Sequence, residues 1–452
     1  MTSALIKSRP RISVIGLGKL GSPMAAVFAA KGFEVVGIDL NPAFVEAINA
    51  GRAPVQEPQL QDHLDAARGK VRATMDWNDM VQCTDVSFII VPTPSGPDRM
   101  FVNRYVVDAV EKIGAALRAK SGYHVVVVTS TVMPGSTGGE IRAALERASG
   151  RVVGQDVGLC YNPEFIALGS VVRDMLFPDM ILIGESDGRA GDVLEAVYRN
   201  SVNSKPEFHR MNLVNAELCK ISVNTFVTTK ISYANMIGDM CDHLPGADAD
   251  VVTRAVGADS RIGRKYLKPA IGYGGPCFPR DNKAFAALGR KLGVNTALAE
   301  ATDAINEHQF QRMIGAVSAC AEPGQAVAVL GLSYKPDTGV VEESQGVALA
   351  LQLAEAGYQV RVFDPLANPA AETVLDGRAR VAPSAADAMA GATAAIVCTG
   401  WPEFKAIDWA LSGLSAVIDP WGVVAEATTG LRVVRLGRGD WRGAGARLHA
   451  AA

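Results

Sequence analysis

Residues 12–28, ISVIGLGKLGSPMAAVF, contain the clearest indication of how this chain folds. A short apolar run, Ile12–Ile15, leads into Gly16-Leu17-Gly18-Lys19-Leu20-Gly21, and an alanine-rich helical pattern follows. Glycines at this spacing permit a tight turn and let the backbone approach a pyrophosphate at a helix N-terminus. The pattern therefore predicts the first strand, turn and helix of a dinucleotide-binding fold.

The next apolar run, residues 34–38, ends in Asp39, eighteen residues after Gly21. A carboxylate at that point can accept hydrogen bonds from a ribose 2′-OH and repel a 2′-phosphate, so it favours NAD over NADP. The alternative is a Rossmann sheet with a vestigial site. Strand, glycines, helix, second strand and acid all fall in register, and this complete context favours a working site.

Short apolar runs alternate with alanine-rich helical patterns over the first 200 residues and again from residue 326. Between residues 212 and 319 the strand-like runs vanish and helical patterns dominate. Alternating strands and helices predict parallel, doubly wound sheets. The expected fold is α/β, with two Rossmann-like parallel-sheet domains joined by a central helical domain with one long helix. The expected bounds are 1–208, 209–320 and 321–452.

Composition excludes several classes of protein. There are 44 basic and 47 acidic residues, a net charge of −3, which argues against nucleic acid or an anionic membrane as the main partner. Seven cysteines without C-x-x-C or Cys/His clusters argue for a reducing compartment, and no metal is expected. The N-terminus lacks the apolar core of a signal peptide, and every apolar run is too short to span a membrane. A soluble, cytoplasmic enzyme is expected.

A second informative stretch is Ile271-Gly272-Tyr273-Gly274-Gly275-Pro276-Cys277-Phe278-Pro279-Arg280-Asp281. Three glycines and two prolines in eleven residues exclude a helix or a central strand and predict a shaped loop, which we call the cysteine loop. If Asp281 caps the helix that follows, the helix dipole favours the nucleophilic thiolate of Cys277. The other six cysteines fit the ordinary role of small buried side chains.

Residues 216–242 form one long helical pattern that has no proline and a single glycine. Lys220 and Asn224 are four residues apart and share a face. For an isolated pair, a solvated face is the simpler interpretation. Flanking apolar residues would bury most of this helix, however, and an unpaired buried charge is costly. A lysine here therefore indicates a ligand or a partner charge.

In this combination, the sequence resembles the UDP-glucose/GDP-mannose dehydrogenases, the NAD-dependent nucleotide-sugar 6-dehydrogenases. The matching motifs run in order along nearly the whole chain. They are GLGKLG with Asp39, Val91-Pro92-Thr93-Pro94, Ser130-Thr131-Val132-Met133-Pro134-Gly135, Asn162-Pro163-Glu164-Phe165, Lys220-Ile221-Ser222-Val223-Asn224, Arg261-Ile262-Gly263, the cysteine loop and Gly331-Leu332-Ser333-Tyr334-Lys335-Pro336.

The resemblance implies a four-electron oxidation of a sugar C6 alcohol to a carboxylate, with two NAD and one water consumed. Cys277 matches the nucleophile that captures the aldehyde as a thiohemiacetal, which is then oxidised to a thioester. Lys220 and Asn224 match the groups that stabilise the oxyanion, and Asp281 matches an acid that acts with the lysine through water. A thiolate, a cation and an amide suit this chemistry independently.

The resemblance also implies that Glu164 is linked to base catalysis of thioester hydrolysis, and that Thr131 holds a catalytic water beside the nicotinamide. The implied cofactor contacts are Gly16, Gly18, Lys19, Leu20, Gly21, Asp39, Pro92, Thr93 and Thr131. The implied substrate contacts are Glu164, Phe165, Lys220, Asn224, Arg261, Lys268, Tyr273, Gly274 and Lys335. In the family, the arginine is often supplied by a neighbouring subunit.

The implied assembly is a homodimer formed through the central helix, or a higher homo-oligomer, in which the C-terminal domain helps to hold the nucleotide sugar. Two positions depart from the family pattern: Leu168 replaces a second acid, and Glu342 stands where an arginine is usual. The reaction class is therefore better determined than the sugar. UDP-glucose or a related UDP-hexose is expected, with a UDP-N-acetylhexosamine or a GDP-sugar as the alternative.

Two rival functions stay open at this point. A two-electron hydroxyacid dehydrogenase of the 6-phosphogluconate type shares the glycine loop and the helical middle but does not need the cysteine loop. A non-catalytic nucleotide-sugar-binding protein is suggested by Leu168 and Glu342, although the positions for covalent chemistry are intact. In the C-terminal part, the run 359–363 followed by Asp364 mimics a ribose-binding acid, and a turn aspartate is equally compatible with the pattern.

Overall fold

The computed structural model describes residues 9–67, 69–425 and 430–439. The chain divides into two compact units, Met1–Ser222 and Val223–Ala452. The division falls inside one long helix, and the three domain ranges given above stay predictions. Within the described ranges, none of the helices is long and apolar enough to cross a membrane.

The first unit is built on an eight-stranded sheet. Its strands are β1 Ile12–Ile15, β2 Val35–Ile38, β3 Val71–Thr74, β4 Val86–Ile89, β5 Val125–Val128, β6 Gly158–Tyr161, β7 Met180–Glu185 and β8 Glu207–Asn212. Their spatial order is β3-β2-β1-β4-β5-β6-β7-β8. All neighbours are parallel except β6 and β7, which pair antiparallel. The two-sheet α/β fold is confirmed, with the exception that β7 reverses the direction of the first sheet.

Helices accompany this sheet in chain order. They are α1 Gly21–Ala30, α2 Pro42–Asn49, α3 Leu60–Ala66, α4 Trp77–Cys83, α5 Arg104–Leu117, α6 Arg142–Ser149, α7 Val171–Leu176 and α8 Gly188–Ser201, with a π-helical turn at Thr137–Ile141. Every residue of β1, β2, β4, β5 and β6 is buried. Strands of a sheet that is covered on both faces form continuous apolar runs, which explains the pattern seen in the sequence.

Helix α9, Leu213–Asp242, begins three residues earlier than the sequence pattern indicates. The second unit continues with α10 Ala249–Val256, α11 Phe278–Leu292, α12 Ala297–Ser318, α13 Gln345–Glu355, α14 Asn368–Leu375 and α15 Ala385–Met389. Its strands are β9 Ala326–Leu330, β10 Gln359–Phe363, β11 Arg380–Val381, β12 Ala394–Val397, β13 Ala416–Ile418 and β14 Arg432–Val434. They form a fully parallel sheet in the order β11-β10-β9-β12-β13-β14.

A polar cluster is buried inside the first sheet. Ser13 of β1 and Ser87 of β4 face each other with their Oγ atoms 2.6 Å apart, and Ser87 Oγ lies 2.8 Å from His124 Nε2. Burial, followed by the nearby Lys120 ammonium, lowers the pKa of His124 to about 3. The imidazole is therefore neutral at physiological pH and acts as a hydrogen-bonding part of the core.

Candidate active site

The glycine loop forms a tight cradle at the end of β1. Gly16 has a φ of 95°, and a Cβ atom on Gly21 would lie 1.7 Å from the carbonyl oxygen of Gly16. Only glycine lets α1 begin this close to the turn. Among the described residues, no side chain caps the start of α1. Within the first turn, Ser22 donates its N–H to the carbonyl oxygen of Gly18 at 3.1 Å and Pro23 has no N–H, so Leu20 and Gly21 are the residues whose N–H groups can meet a pyrophosphate.

A cavity of about 790 Å³ opens beside this cradle. Its lining includes seven of the predicted cofactor residues: Gly16, Gly18, Lys19, Leu20, Gly21, Asp39 and Pro92. Asp39 accepts hydrogen bonds from the backbone N–H groups of Leu17, at 2.6 Å, and Asn41, at 2.8 Å. Its carboxylate is only partly buried. The glycine cradle, the carboxylate and the cavity fit a dinucleotide with an unmodified ribose.

Aromatic side chains also line this cavity, and the sequence patterns did not single them out. They are Phe44, Trp77 and Tyr105. They come from α2, α4 and α5, which are separated by long stretches of chain. Flat aromatic faces suit the stacking of a base, so these residues fit the nucleotide part of a dinucleotide.

Thr93 and Thr131 connect the loops that follow β4 and β5. The hydroxyl of Thr93 donates to the carbonyl oxygen of Thr131 at 2.7 Å. Glu217 of α9 is buried and supports the segment just beyond Thr131. The sequence patterns did not single it out as a site residue. Its carboxylate accepts from the N–H groups of Gly135 at 2.6 Å and Thr137 at 2.7 Å. Helix α9 therefore holds the loop that carries Thr131.

Glu164, Phe165 and Lys220 are brought together in the first unit. The Lys220 ammonium donates to the carbonyl oxygen of Glu164 at 2.6 Å and lies 4.6 Å from the centroid of the Phe165 ring. Lys220 is buried, so the carbonyl and the aromatic face hold a cation that has little contact with water. This geometry fixes the position of the Lys220 amine.

The carboxylate of Glu164 has its own partner, Tyr198 of α8, whose phenol lies 2.9 Å from Glu164 Oε1. Burial raises the pKa of Glu164 to about 7, although Tyr198 and Lys220 both lower it. A carboxyl group with a pKa near neutrality can take and release a proton under working conditions, as a general base must.

Leu168, one of the two departures from the family pattern, packs against the hydrophobic core of the first unit. The loop around it is held by Glu57, whose carboxylate accepts from the N–H groups of Gly169 at 2.9 Å and Val171 at 2.8 Å. The apolar side chain is therefore accommodated by core packing, and the shape of this loop does not depend on an acid at position 168.

In the second unit, Cys277 lies at the N-cap position of α11 and is exposed. The expectation that Asp281 caps this helix is wrong, because α11 begins at Phe278. Asp281 lies one turn into the helix and donates its N–H to the carbonyl oxygen of Cys277 at 2.8 Å. The thiol of Cys277 itself lies at the positive end of this 15-residue helix, where the helix dipole favours a negative charge. The other six cysteines are buried or half-buried.

Asn224 and Asp281 meet in the same unit. The carboxamide of Asn224 donates to Asp281 Oδ2 at 2.6 Å, and both residues are buried. The second carboxylate oxygen of Asp281 is buried and lies 3.5 Å from Arg280 Nε in an ion pair, but it accepts no hydrogen bond from the described residues. A buried oxygen of this kind is suited to a donor supplied by a bound water or substrate.

The cysteine loop owes its shape to carboxamides. Asn306 pairs with the backbone of Tyr273, accepting from its N–H at 2.7 Å and donating to its carbonyl oxygen at 3.0 Å. Gln345 donates to the same carbonyl at 3.0 Å. A Cβ atom on Gly274 would lie 2.2 Å from the carbonyl oxygen of Glu343, so the loop packs directly on the segment that follows β9. The phenol of Tyr273 is already engaged with Asp303.

Three models of one protein family match this chain in order. They are the NAD binding domain of the UDP-glucose/GDP-mannose dehydrogenase family at residues 10–202, its central domain at 214–308 and its UDP binding domain at 328–426. The chain belongs to the UDP-glucose/GDP-mannose dehydrogenase family. It is accordingly an NAD-dependent oxidoreductase, a nucleotide-sugar 6-dehydrogenase.

Individual members of the family are similar over most of their length. UDP-glucose 6-dehydrogenase of Haloferax volcanii is 36% identical over 403 residues, covering 88% of this chain and 93% of that protein. GDP-mannose 6-dehydrogenase of Pseudomonas aeruginosa is 34% identical over 358 residues, covering 78% and 81%. The structure of a UDP-glucose dehydrogenase from Pyrobaculum islandicum superimposes with a TM-score of 0.86 at 34% identity, covering 97% and 100%.

The remaining predicted substrate residues of this dehydrogenase lie in the second unit. Arg261 is exposed and forms an ion pair with Asp259 at 2.7 Å. Lys268 is exposed and lines a separate cavity of about 380 Å³, together with Trp421. Lys335 is half-buried in the loop after β9, next to Tyr334, whose ring a Cβ atom on Gly275 would approach to 2.4 Å. The loops of Cys277 and Lys335 are therefore neighbours.

Within the described residues, no group of three or more His, Cys, Asp or Glu side chains is placed to hold a metal.

Proposed function

We propose that this dehydrogenase oxidises the C6 alcohol of a UDP-hexose, UDP-glucose first among them, to the uronic acid through a thioester on Cys277. The observation that carries the proposal is the setting of this thiol. It is exposed, it lies at the N-terminus of α11, and the loop before it is shaped by glycines and carboxamides. A thiolate in such a setting is an effective nucleophile.

In the first oxidation, the C6 alcohol loses a proton and a hydride to give an aldehyde. NAD, when bound in the cavity beside the glycine loop, supplies the hydride acceptor for both oxidations. The Cys277 thiolate then forms a C–S bond with the aldehyde carbon, and the carbonyl oxygen takes the negative charge. The amine of Lys220 and the carboxamide of Asn224, one helical turn apart on α9, are assigned to stabilising this oxyanion.

The second oxidation removes a hydride from the carbon of the thiohemiacetal and leaves a thioester. Water attacks the thioester carbon, the C–S bond breaks, and Cys277 leaves as the thiolate. Glu164 is assigned to accept the proton of the attacking water. This assignment is supported by its raised pKa of about 7, because such a carboxylate is a stronger base than an ordinary glutamate.

The choice of a uridine nucleotide is supported by the names of two similar proteins, the dehydrogenases of Haloferax volcanii and Pyrobaculum islandicum, which are described as acting on UDP-glucose. A GDP-sugar is the second candidate, since the Pseudomonas aeruginosa relative is named for GDP-mannose. A UDP-N-acetylhexosamine is the third, because Leu168 removes an acid that often meets the sugar or the nicotinamide in this family.

We also propose a homodimer, or a higher homo-oligomer built from it, formed through α9 and working in the cytoplasm, where free thiols stay reduced. Phe226, Tyr233 and Met240 recur every seven residues on α9 and are 65%, 45% and 53% exposed. A line of large apolar side chains on one helix face supports self-association. The exposed Arg261 is assigned to the substrate of the neighbouring subunit.

The stoichiometry of the reaction tests the proposed chemistry. Purified enzyme is given UDP-glucose, GDP-mannose and UDP-N-acetylglucosamine in turn, and NADH is counted against sugar consumed. The thioester route yields two NADH per sugar and a carboxylate, whereas a ratio of one would support the hydroxyacid dehydrogenase alternative. Binding without turnover across the panel would support the non-catalytic alternative.

Cys277→Ser should abolish carboxylate formation while NAD binding and the circular dichroism spectrum stay unchanged, and Cys320→Ser is the matched control.

A further inference from the structure

Tyr198, on the inner side of α8, has no role in the chemistry described so far. It is 3% exposed, and its phenol oxygen lies between two other side chains. Asn162 Oδ1 is 2.5 Å from this oxygen, and Glu164 Oε1 is 2.9 Å from it. Both distances are those of hydrogen bonds, so one hydroxyl group bridges the asparagine and the glutamate of the Asn-Pro-Glu motif.

Counting hydrogen atoms shows that this bridge depends on the protonation state of Glu164. The amide nitrogen of Asn162 donates to the carbonyl oxygen of Leu182 at 2.8 Å, so the atom facing Tyr198 is the amide oxygen, which can only accept. An ionised Glu164 can also only accept. The single phenolic hydrogen of Tyr198 can then serve one of these two acceptors at a time. Both contacts are hydrogen bonds only when Glu164 is protonated and donates to the phenol oxygen.

We propose that Tyr198 is a positioning residue for Glu164. The phenolic hydrogen of Tyr198 points to Asn162 while Glu164 is protonated, and it turns to Glu164 when that carboxyl group ionises. The change requires only rotation about the C–O bond of the phenol. Tyr198 holds Glu164 Oε1 in place in both states and sets how readily the carboxylate takes a proton from water. The inference rests on the proposed function of Glu164 as the base of thioester hydrolysis.

The charged surroundings in the first unit are compatible with this role. The ionisable groups of this unit that act on Glu164 are Tyr198, from α8, and Lys220, from α9. Burial, together with the charge of Glu164, raises the pKa of Tyr198 well above 10. The phenol therefore keeps its hydrogen through the working range of pH, and the proton that is gained and lost belongs to Glu164.

Two substitutions should shift the pKa of Glu164 in opposite directions. Tyr198→Phe removes the hydrogen bond that the phenol donates to the ionised carboxylate. That bond is stronger than the one the phenol forms with the protonated carboxyl group, so the pKa of Glu164 should rise. Asn162→Ala removes the competing acceptor and leaves the phenolic hydrogen to Glu164, so the pKa should fall. In profiles of kcat against pH with UDP-glucose, the acid limb should move by about one pH unit in each direction. Tyr123→Phe, which removes a phenol bonded to Asp187 in the same unit, should leave the limb in place.

Infrared difference spectra give a readout that does not depend on turnover. The band of the protonated Glu164 carboxyl group, identified by its loss in Glu164→Gln, should titrate near neutral pH and shift with the same signs in the two variants. Shifts of the same sign, or no shift in either variant, would overturn the inference. If Tyr198→Phe does not fold, the sign of the Asn162→Ala shift decides. Should Glu164→Gln hydrolyse the thioester at the normal rate, the proposed function of Glu164 fails instead, and the infrared titration still tests the bridge.

Discussion

The turn after β1 and the turn after β9 are built on the same backbone plan, one in each sheet. Gly16 donates its N–H to the carbonyl oxygen of Ile38 at 2.8 Å, and Gly331 donates to that of Phe363 at 2.8 Å. Both glycines have a positive φ, 95° and 97°. The aspartate that follows the second strand of each sheet accepts from the next N–H of the turn, at 2.6 Å for Asp39 and 2.7 Å for Asp364.

The two aspartates differ in what else they hold. Asp39 accepts one further N–H and keeps a partly exposed carboxylate at the edge of the cavity beside the glycine loop. Asp364 is buried, and its two oxygens accept from six donor groups on five residues: Leu332, Ser333, Leu366, Ala367 and Trp401. It is therefore a turn aspartate, which decides between the two interpretations of the run that ends at residue 363. In this fold, the aspartate after the second strand can either face a cavity or bind the N–H groups of its own turn.

The length of the turn differs as well. Helix α1 begins five residues after Gly16, whereas α13 begins fourteen residues after Gly331. The longer segment contains Lys335 and carries the backbone on which Gly274 of the cysteine loop packs. In the second sheet the turn thus supports a neighbouring loop, while in the first sheet it is short and forms a tight cradle at the start of α1.

Replacing the buried aspartate should have the largest effect on stability. We expect Asp364→Ala to lower the free energy of unfolding of the second unit by about 3–5 kcal/mol, because six donor groups lose a charged acceptor in the core. Urea unfolding, monitored through hydrogen exchange of β9 and β10, measures this loss of stability. Asp39→Ala is the matched control and should cost less than about 1 kcal/mol, since its carboxylate can be replaced by water. Equal losses in the two variants would contradict the difference between the turns.

The helix glycine of each turn offers a second comparison. A Cβ atom on Gly21 would lie 1.7 Å from the carbonyl oxygen of Gly16, and one on Gly346 would lie 2.1 Å from that of Gly331. We expect Gly21→Ala to weaken NAD binding about 100-fold, or about 2.7 kcal/mol, because the helix start must move away from the cradle. Gly346→Ala should leave the affinity for NAD unchanged within about twofold while it lowers stability. Titration calorimetry with NAD measures both, and a similar loss of affinity in the two variants would show that the cradle is not the binding site.

The cores of the two sheets also differ at equivalent strand positions. Ser13 of β1 lies beside Ser87 of β4, whereas Ala328 of β9 lies beside Ala395 of β12. Only the serine pair is joined to a buried histidine, His124. Because the pKa of His124 is lowered from 6.5 to about 3, the native state excludes a proton that the unfolded chain binds. This contribution to stability is present above pH 6.5 and is lost as the pH falls from 6.5 toward 3.

At pH 5, the loss through His124 should be about 2 kcal/mol relative to pH 7.5, at about 1.4 kcal/mol for each pH unit below 6.5. Hydrogen exchange of β1 and β4, measured at both pH values, should show it, while β9 and β12 serve as the internal control. His124→Gln should reduce the pH dependence of the first sheet. A first sheet as insensitive to acid as the second would contradict the argument.

The sequence predicted the buried strands best. The run 12–15 matches β1 residue for residue, because a strand covered on both faces is almost continuously apolar. The run 359–363 matches β10, in which burial alternates along the strand as the side chains point to opposite faces. Strand β8, EFHRMN, has no buried residue and gave no such signal. The reversal of β7 could not be read from the sequence either, since strand direction is set by the connection and by neighbouring strands rather than by a local pattern.

The candidate site shows the same division. Glycines and prolines marked the loop of Cys277 because they restrict the backbone locally. Tyr198 and Asn306 gave no signal, since each is a single polar residue within a helix. Their partners, Glu164 and Tyr273, lie 34 and 33 residues away along the chain. Residues that position a site through distant hydrogen bonds carry no sequence spacing of their own.

The smallest expected effect concerns the choice of cofactor, and it follows from what Asp39 leaves exposed. In Asp39→Ser the negative charge at the cavity edge is lost, so the 2′-phosphate of NADP is no longer repelled. We expect kcat/KM for NADP to rise about tenfold and that for NAD to fall about tenfold, a change of about 1.4 kcal/mol in each case. Asp108 lines the same cavity but pairs with Lys112 at 2.9 Å, so Asp108→Asn should change the preference little. If the two substitutions shift the ratio of NADP to NAD equally, net charge in the cavity selects the cofactor, and the position of Asp39 at the end of β2 does not.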